Sequence, residues 1–119
     1  MVRKVPAINT EQPQGYGTPR EFILKEAMRI THHDRNANYG NPENNFQHIA
    51  NLWDNYLAVS GRTANFEPGD VAVMMMLVKI ARLGNNLNHT DSTIDVAGYA
   101  ACLADCQHPQ ATDSSLSVR

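Results

Sequence analysis

Apolar positions recur along the chain at the three-four spacing of a helical face. The clearest instance is Phe46, Ile49, Ala50, Trp53 and Leu57, with Tyr56 beside them. Asn41 followed by Pro42 supplies the cap and the first helical residue, and Gly61 ends the segment. An earlier helix is expected from Thr18 to about His33. Thr18 caps, Pro19 follows, Glu21 completes a capping-box spacing, and Ile23, Ala27 and Ile30, flanked by Phe22 and Leu24, form the stripe. A third helix follows Pro68 and Asp70. Between Val71 and Leu83 only Lys79 and Arg82 are charged, so this helix is apolar nearly all round and needs cover on several sides, for which a subunit interface is a natural source. A fourth begins near Asp91, and its Ala97, Gly98, Ala100, Ala101 and Ala104 keep the surface narrow enough for close approach of a neighbour.

No stretch alternates with strand periodicity, so the predicted fold is all-α, a compact bundle of four main helices over residues 18–106. Residues 1–17 and 107–119, rich in polar residues and lacking periodicity, read as flexible arms. A 119-residue chain makes one domain with little stability to spare, and a homo-oligomer formed through the third helix or the Trp53 helix is expected.

Ten Lys and Arg against twelve Asp and Glu leave a formal charge of -2, which argues against general nucleic-acid or membrane-surface binding. The longest apolar run, at 71–78, is too short to span a bilayer, and the N-terminal stretch lacks the apolar core of a signal peptide, so a cytosolic protein is expected. Cys102 and Cys106, four apart on one helix, suit a disulfide poorly and read as two buried thiols.

Candidate chemistry gathers where the third and fourth helices meet. The short GNNLNHT connection makes them antiparallel neighbours, so positions whose numbers sum to about 174 should face one another. Lys79 then faces Asp95, Arg82 faces Asp91 or Ser92, and Met75 faces Tyr99. Asp91 and Asp95, one turn apart, can place oxygens around Mg²⁺, and Lys79 and Arg82 can hold a phosphate. A partly buried ion network that only fixes helix register is the structural alternative. The turn DRNANYGNPENNF adds a helix N-terminus suited to an anion, with Arg35 for charge, Tyr39 for stacking and Asn44 among the amides that match a base edge.

Together DRNANYGNPENNFQHIANLWDNYL, DVAVMMMLVKIARL and DSTIDVAGYAA resemble a family of small phage and prophage proteins of unassigned function, over roughly residues 20–105. The resemblance implies expression in a bacterial cytoplasm. More distantly, the chain is similar to the MazG-like all-α nucleotide pyrophosphohydrolases, which use Mg²⁺ held by Glu and Asp on adjacent helices. In place of their ExxE and ExxD pairs stand Glu21 and Glu26, five apart, and Asp91 and Asp95, four apart. On this likeness Asp91 and Asp95, helped by Asp70 or Glu43, bind the metal. Lys79 joins them in catalysis, and Arg35, Tyr39, Asn44, Arg82 and Tyr99 contact a nucleotide or related phosphorylated molecule. Sequestration of a host nucleotide signal without turnover, or inhibition of a host protein by an oligomer, are the alternatives.

Overall fold

A computed structural model describes residues 17–35 and 41–108. Helices α1 (Pro19–Arg29), α2 (Pro42–Val59), α3 (Pro68–Asn85) and α4 (Thr90–Gln107) account for nearly all of them, and no strand occurs among the described residues. The all-α expectation therefore holds. The flexible arms expected at both ends lie almost wholly outside the described residues.

Local chemistry sets the helix starts. Thr18 Oγ1 accepts from the Glu21 amide at 3.2 Å while Glu21 Oε1 accepts from the Thr18 amide at 2.7 Å, the reciprocal capping box. Gly17 before it has φ +72°, a conformation that favours glycine, and a Cβ there would displace the Glu21 carboxylate from its capping position. Asn41 Oδ1 caps α2 by accepting from the Asn44 amide at 2.9 Å. In α3, Asp70 reaches back to the Glu67 amide at 2.8 Å.

Past Arg29 the first helix does not stop but widens into a π-helical turn over Ile30–Arg35, two residues beyond the expected end. Thr31 donates to the Ala27 carbonyl at 2.8 Å within this turn. Such back-bonding by Thr competes with regular helical pairing, and a 3.6-residue periodicity does not anticipate it.

Helix α4 is the shared element: α1, α2 and α3 all pack on it. Its first half, through Ile94 and Ala97, meets Phe22, Ala27, Ile23 and Ile30 of the first helix. Thr31 packs over Gly98, where a Cβ would lie at the ordinary contact distance of 3.4 Å from Thr31 Cγ2. Its second half, through Cys102, joins Phe46, Ala50, Val71 and Ala72, with Trp53, Phe66, Met75 and Tyr99 around them. Trp53 meets Phe66 edge-on at 5.5 Å, and Asp54 accepts the Phe66 amide at 3.0 Å, which pins the loop before α3.

Among the described residues, the cover expected around α3 is incomplete. Val71 and Ala72 are fully buried, but Leu77 is 57% exposed and Ile80 49%. No helix among the described residues is long and apolar enough to cross a membrane.

Candidate functional site

The antiparallel hairpin of α3 and α4 has the expected register. Lys79 Nζ lies 3.0 Å from Asp95 Oδ2. Ala72 and Cys102, whose numbers also sum to 174, share one buried cluster, and Met75 and Tyr99 pack against it. The Lys79 side chain is only 14% exposed and that of Asp95 35%. An ammonium with three donors therefore sits largely out of water, and its described protein partner is a single carboxylate. Partial withdrawal from water raises the strength of that attraction relative to a surface pair.

Between described residues, ion pairs join Lys79 to Asp95 and Arg29 to Glu26, and Arg82, expected to face Asp91 or Ser92, forms no ion pair with Asp91. Arg82 is exposed one turn closer to the hairpin loop than Lys79, and the two share a side of α3. Asp91 is exposed in the first turn of α4, where a carboxylate is favoured by the helix dipole.

Tyr99 is half-buried with its ring 6.2 Å from that of Phe46, so its packing partner is the core beneath α2. Asn44 is exposed, and its amide is taken up by the Asn41 cap. The backbone of Arg35 closes the π-helical turn; its side chain, and Tyr39 entirely, lie outside the described residues.

The remaining acids considered as metal ligands are at the wrong end of the hairpin. Burial pushes the Cys106 thiol up to about 11, helped by the charges of Cys102, Glu43 and Asp105, which places Glu43 near the last turn of α4. Fifteen residues of helix separate Cys106 from Asp91, roughly 22 Å at 1.5 Å per residue. Asp70 is committed to the start of α3, near Leu103, against which Gly69 packs. Asp91 and Asp95 thus gain no third acid from either, and the described residues contain no group of three metal-ligating side chains. Asp95 moreover faces an ammonium at 3.0 Å, which competes with a dication for the same oxygens.

One structural pair escaped the sequence. His89 is the N-cap of α4, its Nδ1 accepting from the Ser92 amide at 3.3 Å and lying 2.7 Å from Ser92 Oγ. Ser92 is 1% exposed, so its hydroxyl is held for packing and is closed to substrate. The three-residue spacing from His89 to Ser92 was the available signal, but histidine is a less usual cap than the Asn and Asp nearby.

With this geometry described, comparison with known proteins gives a consistent picture. A family model described as "Domain of unknown function (DUF6378)" matches residues 22–107. The chain is similar to the "Gene 55 protein" of Mycobacterium phage D29, 46% identical over 83 residues that make up 70% of this chain and 52% of that protein. The "Gene 55 protein" of Mycobacterium phage L5 is 43% identical over 88 residues, 74% of this chain and 54% of its own length. The chain therefore spans about half the length of the curated relatives it matches. No solved structure matches.

Proposed function

We propose a function from the premise that the chain belongs to the DUF6378 family, a family with phage members: it binds a phosphorylated small molecule of nucleotide type at the loop end of the α3–α4 hairpin. The observation that carries this reading is the Lys79–Asp95 pair, a cation 14% exposed with one protein partner at 3.0 Å and Arg82 one turn away. A phosphate entering beside Lys79 finds ammonium donors not directed at Asp95 and a second, permanently charged guanidinium. Asp91, exposed on the first turn of α4, limits how much negative charge this end accepts, which favours a ligand that also offers sugar or base groups.

Binding without turnover, the sequestration of a host nucleotide in the bacterial cytoplasm, is the form that the geometry favours. The MazG-type alternative, with Mg²⁺ on Asp91 and Asp95, rests on the sequence resemblance; the Lys79 ammonium on Asp95 and the remoteness of Glu43 and Asp70 count against it.

Incubating the chain with nucleoside mono-, di- and triphosphates, with and without Mg²⁺, tests both forms. The expected result is a rise in melting temperature that needs no metal, leaves the nucleotide intact and is lost in Lys79→Met. Ligand at a hundred times its Kd stabilises by about 2.7 kcal/mol, so such a rise is easily measured. Release of pyrophosphate replaces sequestration by hydrolysis, and silence in both measurements removes the ligand and leaves the charge pair a purely structural feature.

A further inference from the structure

Among the described residues, no element covers the outward face of α3. Val73, Met74, Leu77, Val78 and Ile80 are between 37% and 57% exposed, and Cβ space at Gly84 is empty to 4 Å. Val73, Leu77, Ile80 and Gly84 follow at intervals of four, three and four, the spacing of a helix–helix seam. The only charged residues between Val71 and Asn85 are Lys79 and Arg82, which lie about 200° and about 140° around the helix from Leu77 at 3.6 residues per turn. The seam is therefore uninterrupted by charge.

We infer that this face is a two-fold contact in which α3 of one copy packs against α3 of a second, with Leu77 near the axis. Charge selects the occupant. A basic or acidic partner has nothing to pair with, whereas an uncharged stripe is complementary to itself under a two-fold rotation, which brings the same patch to both sides. Area agrees with that choice. Five large side chains at roughly half of their free accessibility, with Ala81, Gly84 and the 83% exposed Leu87 beside them, present on the order of 500 Å² per copy, so a pair buries about 1,000 Å², the lower edge of specific interfaces. A patch of this size matches the largest apolar patch of a typical monomer, about 300–600 Å², which is often functional. Small residues at 81 and 84 let the two backbones approach. The contact is accordingly a concentration-dependent one, formed in the micromolar range. It stands independently of the ligand proposed above, because Lys79 points to the other side of α3 and the hairpin end stays open in the pair.

Sedimentation equilibrium of the full chain from 5 to 500 μM, roughly the span that brackets such an interface, is the test. The mass is expected to climb from the 13.2 kDa of one chain toward twice that value. Leu77→Glu should hold it at the monomer with an unchanged helical circular dichroism spectrum. Leu77→Cys should form an intermolecular disulfide on mild oxidation, which the wild type, with Cys102 buried, serves to control. A constant monomer mass overturns the inference, as does unaltered association of Leu77→Glu or failure of the Leu77→Cys protein to cross-link. Protection of α3 amides in a protein that remains monomeric also overturns it, by assigning the face to another segment of the same chain.

Discussion

Replacing Lys79 and Asp95 singly and together measures how far the hairpin depends on their charge pair. Exposed ion pairs couple by about 0.2–1 kcal/mol, and breaking a fully buried one costs about 3–5 kcal/mol. Here the cation is 14% exposed and the anion 35%, so the two single changes should be unequal. Asp95→Asn leaves a mostly buried ammonium without its counter-charge and should cost about 2 kcal/mol. Lys79→Met leaves a carboxylate that water already reaches, and places an apolar chain in a mostly buried position, for a cost of about 1 kcal/mol. The double variant should recover part of the sum, giving a coupling of about 1 kcal/mol. Urea unfolding followed by circular dichroism, at low and at 0.5 M salt, reads all four corners. Salt should reduce the coupling by less than half, because the ammonium end of the pair is mostly withdrawn from solvent. Two single variants within about 0.3 kcal/mol of wild type, the range of an indifferent surface change, refute the reasoning, and so does a larger loss for Lys79→Met than for Asp95→Asn.

Three further outcomes follow from other contacts. Gly98→Ala should stabilise by about 0.5–1 kcal/mol, since the added methyl meets Thr31 Cγ2 at ordinary contact distance and the helix loses a glycine; Gly98→Leu should lower the melting temperature, by forcing the first helix away. His89→Ala should cost about 1 kcal/mol in thermal unfolding through the lost cap of α4 and the unpartnered Ser92 hydroxyl, whereas His89→Asn should recover most of it. Alkylation of Cys106 at pH 8 should run well below the rate of an ordinary thiol, because burial holds its pKa at about 11 against 9.0 for the free group. The same shift makes stability fall as pH rises from 9 to 11: the unfolded thiol ionises first and then binds fewer protons than the folded one, so Cys106→Ala should flatten the decline.

Caps and apolar spacing were enough to read four helices in this chain, because each depends on residues within one or two turns. The Thr18–Glu21 box and the Asn41 cap form as their spacing requires. The facing of Lys79 and Asp95 was also legible, since a connection as short as GNNLNHT allows two helices one antiparallel register. What lies beyond neighbouring elements was not. Glu43 was a candidate to join Asp91 at a metal, yet α2 starts beside the far end of α4, a placement set by Phe46 and Ala50 finding Val71, Ala72 and Cys102. The widening after Arg29 and the seat of Thr31 against Gly98 likewise depend on two helices meeting.

Sequence alone thus determined the helices, the starts of the first two and the facing of Lys79 and Asp95, all of them consequences of hydrogen bonds and periodicity over short separations along the chain. Tertiary structure decided which acids share a neighbourhood and which apolar face of α3 is left without cover. Both depend on which side chains fill the space around α4, and burial of apolar surface has no direction of its own by which the order of residues could announce it.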